Sequence, residues 1–203
     1  MRTTRFSTLL VIAAFVPAVA ATNAALTSLE VQPESKLWVA GTSTVRSFQC
    51  QATTFEAKVE SPAASAVAAV LAGEKSVGAV EVVVPAEKLD CRNGTMNGHM
   101  LKALKAKDFP VITFRVATYE LTRAEAGVQV QLDGTLTLGG VEKPITVAAE
   151  AKSGDDGALH VTGTHELRMS EFGLKAPTLM LGTMRVNEKV TVGFDIVLRD
   201  RSE

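Results

Sequence analysis

The chain has 203 residues, of which 46% are hydrophobic and 21% charged, and this is the composition of one globular domain. Its formal net charge is −1 and no basic stripe with interleaved aromatics occurs, which excludes nucleic acid as a partner. Aromatic residues make up only 5%, so small and medium side chains are expected to line the interior.

The N-terminus predicts a secretory signal peptide over residues 1–20. Two arginines precede an apolar stretch of 15 residues, which ends in a small-residue Ala-Val-Ala cleavage site. That stretch is shorter than the roughly 20 residues that span a membrane. We expect cleavage after Ala20, with Ala24 and Ala25 as alternatives, leaving 19 basic and 22 acidic residues. The sequence thus predicts a periplasmic protein whose domain occupies residues 25–203.

Alternating apolar and polar residues recur along the chain and predict about eight β-strands. The first strand lies around Trp38, and the later runs are 55–59, 80–84, 112–118, 128–138, 145–149, 159–169 and 190–198. The turn-forming segments RAEAG, LGGVEKP and KSGDDG predict short antiparallel connections. Strands with one apolar face close most naturally into an antiparallel eight-stranded barrel, so we predict a single all-β domain.

Two segments break this alternation and predict short accessory helices. They are SPAASAVAAVLAG at 61–73 and MNGHMLKALKAKDFP at 96–110. The second segment is preceded by Asn93 and Gly94, which mark the start of the helix. Lys102, Lys105 and Lys107 flank the apolar side of the second helix. This pattern predicts a helix over the barrel mouth that makes transient contact with a membrane surface, against the simpler alternative of a solvated helix face.

Catalytic motifs are absent from the sequence, which therefore predicts a non-enzymatic protein without a cofactor. His99, His160 and His165 lack the spacing of metal ligands, and no metal site is predicted. Met96 and Met100 beside His99 leave a soft-metal site for copper as an open alternative.

The two cysteines, Cys50 and Cys91, lie 41 positions apart. In an exported protein such a pair is typical of a disulfide, with two free thiols as the alternative. A bridge would connect the strand that starts at Val45 to the base of the second helix. Closing a loop of this length would stabilise the fold by about 4 kcal/mol.

A closed barrel of eight strands either holds one small ligand or is filled by its own side chains. Gly134 and Gly163 fall in the inward phase and favour a narrow apolar channel, whereas the aromatic rings favour a solid interior. Strand phase assigns to the predicted cavity the side chains of Phe55, Val82, Phe114, Leu136, Val147 and Phe194.

Five segments of the chain resemble the YceI-like proteins, a family described as lipid- or polyisoprenoid-binding. They are, in order, WVAGTSTVRSF, VEVVVPAEKLDC, MNGHMLKALKAKDFPVITF, GTLTLGGVEKPITV and MSEFGLKAPTLMLGTMRVNEKVTVGFDIVL. The resemblance implies a lipocalin-like barrel with an accessory helix, and it adds Trp38 and Phe172 to the expected cavity wall.

The alternation and the resemblance together predict a periplasmic carrier that holds an apolar chain-like lipid, a polyisoprenoid or an isoprenoid quinone, inside the barrel. The alternatives are a stress-responsive adaptor with a solid barrel and a copper- or redox-associated barrel without a lipid. The sequence leaves open the identity of the ligand, the oligomeric state and any delivery partner.

Overall fold

The computed structural model of the protein describes residues 27–62, 65–154, 156–179 and 183–201. The predicted signal peptide lies outside these residues. Within them, no helix is long and apolar enough to cross a membrane. The strands are β1 Thr27–Val31, β2 Lys36–Ser43, β3 Ser47–Ala52, β4 Glu56–Ser61, β5 Ala79–Pro85, β6 Leu89–Asp90, β7 Val111–Ala124, β8 Gly127–Leu138, β9 Val141–Ser153, β10 Leu159–Arg168, β11 Thr178–Leu179 and β12 Met184–Asp200. The helices are α1 Ala66–Leu71 and α2 Gly94–Ala103, and single 3-10 turns cover Ala86–Lys88 and Met169–Phe172.

The predicted antiparallel eight-stranded barrel is confirmed. Its circuit of hydrogen-bonded neighbours runs β1, β4, β5, β7, β8, β9, β10 and β12, and β12 pairs again with β1. The 17-residue strand β12 also pairs with β2, which continues β1 after a short break. In the same way β3 leads into β4, so two bent strands complete the wall.

Strand β8 shows why the alternation produces this barrel. Val128, Val130, Gly134, Leu136 and Leu138 are buried, whereas the alternate positions from 129 to 137 are exposed or half-buried. One face of each strand therefore meets the interior and the other meets solvent. The turn to β9 consists of Gly139 and Gly140, both with positive φ, which is the backbone of the tight hairpins that match strand twist.

A bulge in β7 changes which residues point inward. The pairing with β8 shifts between Val116 and Thr118, so one extra residue stands on β7. Phe114 faces the interior before the bulge, and Tyr119 and Leu121 face it afterwards. The alternation predicted for 112–118 thus ends at the bulge, because an inserted residue reverses the phase of those that follow.

Helix α1 is shorter than predicted and forms the main core with the ends of the surrounding strands. Ala66, Val67 and Val70 are its buried residues. They pack with a cluster of buried side chains at Leu29, Val59, Val128, Val130, Ala149, Ala151, Leu159 and Leu198. Asp200 Oδ1 accepts hydrogen bonds from the N–H groups of Ala66 and Val67 at 2.9 and 3.2 Å. Backbone donors at the helix start are thereby satisfied.

The N-terminal strands differ from the sequence prediction in two ways. Strand β1 was not predicted, and β3, the second strand of the β2–β3 hairpin, begins at Ser47 instead of Val45. Val45 lies at the tip of the hairpin, with 66% of its surface exposed. Ser43 Oγ accepts hydrogen bonds from the N–H groups of Val45 and Arg46 at 3.3 and 3.1 Å. The turn is therefore made by local side-chain bonding, which alternation does not reveal.

Candidate ligand-binding cavity

The barrel encloses a cavity of about 600 Å³. Small-molecule sites in proteins span about 300–1,000 Å³, so this volume is that of a binding site. The cavity extends from buried side chains beside α1, such as Leu29 and Val70, to α2 at the opposite end. Of the two alternatives that the sequence left open, an open channel and an interior filled by its own side chains, the structure has the open channel.

Aliphatic and aromatic side chains form the cavity wall. The lining includes Leu37, Val39, Ala57, Val80, Val82, Ile112, Phe114, Leu132, Leu136, Val147, Val161, Val190, Val192, Phe194 and Ile196. They come from the inward phase of successive strands, as the alternation predicts. Such a wall favours apolar ligands, with a transfer free energy of about 25 cal/mol per Å² of apolar surface buried.

Three glycines on the strands let phenylalanine rings lie flat against the wall. A methyl group added at Gly41 would lie 2.6 Å from Cζ of Phe48, and one at Gly163 would lie equally close to Cζ of Phe194. Gly134 stands in the same relation to Phe114. The expectation that Gly134 and Gly163 themselves leave open space is wrong, because the rings of Phe114 and Phe194 lie over them. Both rings nevertheless line the cavity, which stays open as that expectation required.

Helix α2 covers the other end of the barrel as a lid. Its cavity-facing side is a stripe at helical spacing formed by Met96, His99, Met100, Ala103 and Leu104. In contrast to α1, no residue of α2 is fully buried. The exposed residues Arg46, Asn93 and Thr95 also line the cavity, so it reaches solvent between α2 and the β2–β3 hairpin.

The start of α2 is fastened to the barrel by the predicted disulfide, which is confirmed. Cys50 on β3 and Cys91 have Cα atoms 3.9 Å apart, and both residues line the cavity. Beside them Asn97 Oδ1 accepts from the N–H of Cys91 at 2.8 Å, and Asn93 Oδ1 accepts from the N–H of Met96 at 3.0 Å. The bridge thus connects the wall to the base of the lid.

Asp90 completes this attachment. Its Oδ1 accepts hydrogen bonds from the Asn97 side-chain amide at 2.8 Å and the N–H of Arg92 at 2.9 Å. These two bonds, the Asn97 bond first, lower the pKa of the Asp90 carboxyl because they favour its ionised form. The carboxylate therefore belongs to the lid attachment and does not line the cavity.

The barrel wall is incompletely paired near the lid. Strands β9 and β10 pair from Leu159 opposite Ser153 to Gly163 opposite Ala149, and this pairing does not continue toward α2. The 3-10 turn after β10 fills the resulting seam with Phe172, which is fully buried. It packs there with Leu136, Leu138, Leu167 and Leu174.

Six of the eight residues predicted to line a cavity do so: Trp38, Val82, Phe114, Leu136, Val147 and Phe194. Phe172 instead belongs to the core that fills the seam. Phe55 lies at the break between β3 and β4 and packs against Ala52, Val84 and Leu89. Neither lines the cavity. Strand phase, which assigned Phe55, does not extend into a break between strands, and the family resemblance, which assigned Phe172, did not resolve the turn in which it lies. A role in ligand binding for the other six stays a prediction.

The predicted cavity wall did not include the stripe on the lid, nor did it include His165, although that residue falls in the apolar phase of its strand. Residues 96, 99, 100, 103 and 104 recur at helical spacing, and His165 shares the inward phase of Val161 and Leu167. Both signals were present in the sequence. Within the described residues no group of three or more histidine, cysteine, aspartate or glutamate side chains is placed to hold a metal ion.

The comparison with known families agrees with the lidded barrel. The family model described as the YceI-like domain matches residues 27–198. The chain belongs to the YceI-like family. No curated protein matches it significantly. The match covers every strand of the YceI-like barrel, from β1 almost to the end of β12.

Solved structures share this fold at low sequence identity. BcnA from Burkholderia cenocepacia is 18% identical, with a TM-score of 0.65 over 83% of this chain and 99% of its own. A polyisoprenoid binding domain from Saccharophagus degradans, implicated in plant cell wall breakdown, is 15% identical, with a TM-score of 0.61 over 86% and 98%. The YceI protein of Campylobacter jejuni is 19% identical, with a TM-score of 0.55 over 95% and 100%. At these identities the YceI-like fold is what the structures share.

Proposed function

We propose that this YceI-like protein is a non-enzymatic periplasmic carrier that holds an apolar chain-like lipid, a polyisoprenoid or an isoprenoid quinone, inside its barrel. The observation that carries the proposal is the apolar cavity of about 600 Å³ between α1 and the lid. A cavity closed at one end and covered by a helix at the other suits a chain that enters end first. The polyisoprenoid binding of the Saccharophagus degradans domain supports this class of ligand.

Extraction of lipid from the protein tests the proposal most directly. Protein purified without detergent from its own cells is extracted with organic solvent, and the extract is analysed by mass spectrometry. We expect a prenyl lipid in stoichiometric amount. No bound lipid, together with no uptake of added prenyl lipids by the emptied protein, would overturn the carrier.

A pair of variants separates cavity binding from adsorption to the surface. Ala57 lines the cavity on β4, whereas Ala148 is exposed on β9 and does not line it. Ala57→Phe should fill the lumen and abolish uptake of prenyl lipid. The same change at Ala148 should leave uptake unchanged. Equal uptake by both variants would place the lipid elsewhere.

The dependence of affinity on chain length gives a second measure of the cavity. Each methylene group that enters an apolar site contributes about 0.8 kcal/mol, which is roughly a fourfold change in Kd. We expect prenols of increasing length to bind more tightly until the chain fills the cavity. Beyond that length the affinity should level off, because further units remain in water.

Export is part of the proposal and has its own test. The mature protein is expected to begin at Ala21, after cleavage behind Ala20. Cell fractionation and mass measurement of the mature chain check both the compartment and the cleavage site. Retention of residues 1–20 in a cytoplasmic protein would contradict this part.

Delivery is proposed to occur at a membrane surface next to the lid. Lys102, Lys105 and Lys107 are exposed on and after α2, and the exposed Val45 and Arg46 lie at the hairpin by the cavity mouth. Cations near a membrane are attracted to anionic lipids, and salt screens this attraction. Lipid transfer to anionic vesicles should slow in high salt and in the variant with all three lysines changed to glutamine. If neither high salt nor the triple variant changes the rate of transfer, the three lysines are only a solvated helix face and do not contact the membrane.

A further inference from the structure

Three polar side chains on the cavity wall serve the fold itself. The Tyr119 hydroxyl donates to the carbonyl of Val77 and accepts from its N–H, both at 2.9 Å. Asn93 caps α2 and Ser43 closes the first hairpin. These groups already have partners and are not available to a ligand.

Two histidines are different. His165 on β10 and His99 on α2 both line the cavity and are half-buried. Neither makes a hydrogen bond or an ion pair within the part of the chain that the structure describes. His160 offers a contrast on the same strand as His165. Its Nδ1 lies 3.3 Å from Asp195 Oδ1, and it does not line the cavity.

The surroundings of His165 are apolar. It follows Gly163 and precedes Leu167 in the inward phase of β10, and Val192 lies opposite it on β12. A polar group in such a wall loses hydrogen bonds to water and gains none from the protein. A polar ligand atom at this position would restore them.

Both histidines lie in the half of the cavity nearer the lid. His165 stands three residues before the end of β10, and His99 lies in the middle of α2. The half beside α1 is lined by buried aliphatic side chains, including Leu29, Val59 and Leu198. The cavity therefore has one apolar end and one end with two imidazoles that have no partner among the described residues.

We propose that His165 and His99 form a headgroup subsite, which binds the oxygen atoms of a lipid whose chain extends toward α1. This rests on the proposed lipid-carrier function. A neutral imidazole offers one donor and one acceptor on separate ring nitrogens, so a hydroxyl group can bind to either nitrogen, while a carbonyl or phosphate oxygen accepts its N–H. The ligand class is thus a prenyl chain with an oxygen headgroup, as opposed to a pure hydrocarbon.

The test uses one chain with different headgroups. Geranylgeraniol, geranylgeranyl phosphate, the menaquinone with a geranylgeranyl chain and the corresponding hydrocarbon displace the fluorescent probe N-phenyl-1-naphthylamine from the barrel. His165→Leu should weaken the oxygen-bearing ligand that fits the subsite about threefold to tenfold, the value of one hydrogen bond. Binding of the hydrocarbon should stay the same. The headgroup that loses most affinity identifies the natural class among alcohol, phosphate and quinone.

Three variants accompany His165→Leu. His99→Leu should weaken the same headgroup, and His165→Gln should restore part of the affinity because glutamine keeps a donor and an acceptor. His160→Leu is the matched control, with the same change on the outer face of the same strand, and should alter no ligand.

Either of two results would contradict the headgroup subsite without contradicting the carrier function. One is that the wild-type protein binds the hydrocarbon as tightly as each oxygen-bearing ligand. The other is that His165→Leu weakens the binding of all four ligands equally. Failure of the wild-type protein to bind any of the four would instead overturn the carrier function itself.

Discussion

The two ends of the barrel are each covered by a short helix, but they are built differently. Helix α1 has only six residues, and three of them are buried in the largest core cluster. Helix α2 has ten residues and none of them is fully buried. The disulfide and the hydrogen bonds around Asn97 hold its first turn instead.

This difference indicates which end opens. A helix with a buried apolar face cannot leave without exposing that face to water, which costs roughly 1.5–3 kcal/mol for each large aliphatic side chain. A helix attached at its start and only half-buried along its length can swing away while the attachment stays intact. We infer that α1 is a permanent plug and that ligands pass under α2. The low-stability parts of a fold are where such motions occur.

The largest expected effect comes from breaking the covalent attachment of the lid. Changing both Cys50 and Cys91 to alanine should reduce the free energy of unfolding by about 4 kcal/mol, because the bridge closes a long loop. The melting temperature should fall by about 10 °C, at roughly 2–4 °C per kcal/mol for a chain of this size. Thermal unfolding followed by circular dichroism measures this. Amide exchange should accelerate more in α2 than in α1.

The controls for the disulfide are chemical. Reducing agent should destabilise the wild-type protein and have no effect on the double alanine variant. The native protein should not react with a thiol reagent before it unfolds. Two reactive thiols in the native state, or equal stability of the double variant, would contradict the prediction.

The plug is tested by truncating its buried face. Val70→Ala should lower the free energy of unfolding by about 2 kcal/mol, since buried carbon groups are lost and a void remains. Denaturant titration measures the change. Val45→Ala is the matched control, because Val45 is 66% exposed at the hairpin tip and its truncation should cost less than about 0.5 kcal/mol. Equal effects at the two sites would argue against a packed plug.

The cavity wall near the lid is tested at Gly41. The three atoms nearest to an added methyl group would all belong to the Phe48 ring, the closest at 2.6 Å, so Gly41→Ala should displace that ring toward the lumen. We expect a loss of stability of about 1 kcal/mol from overpacking and a weaker affinity for lipid. A second change, Phe48→Leu, should restore stability, and a double-mutant cycle measures this coupling. Independent effects of the two changes would show that the ring does not lie over Gly41.

The smallest effect concerns Asp90 at the base of the lid. Because hydrogen bonds lower its pKa in the folded state, the carboxylate stabilises the fold above its ordinary value of 3.8. This contribution is lost as the pH falls below 3.8 through the lowered folded-state value. The difference in melting temperature between the wild-type protein and Asp90→Asn should therefore be constant from neutral pH to about pH 5 and vanish in stronger acid. If the difference in melting temperature between the two proteins grew on acidification, the prediction that ionised Asp90 stabilises the fold would be contradicted.

The strands could be predicted from the sequence because alternation is a local property. In β8 every second residue from Val128 to Leu138 is buried, except Leu132, which is half-buried. It failed where the backbone departs from regular pairing, at the bulge in β7 and at the turn after β10. Phe172 was assigned to the cavity wall by the family resemblance instead. The opening of the seam between β9 and β10 decided that it belongs to the core that fills the wall.

The candidate site was predicted in part for the same reason. Side chains in regular strands, such as Val82 and Leu136, were assigned to the cavity by phase. Phase reports which side of a strand faces inward but not how much space the facing side chains leave. The stacking of Phe194 on Gly163 across two strands depends on their register, so the sequence alone could not distinguish an open lumen from a filled one.

The sequence by itself determined the family, the all-β class, the positions of both helices and the pairing of its only two cysteines. All of these depend on local pattern or on the lack of an alternative partner. Tertiary structure alone decided that α1 is buried and α2 only half-buried, and that His165 has no hydrogen-bond or ion-pair partner among the described residues. The burial of a side chain and its hydrogen-bond partners depend on which residues, distant in sequence, the closed barrel brings together. Those residues come close only when β12 pairs with β1 and closes the barrel.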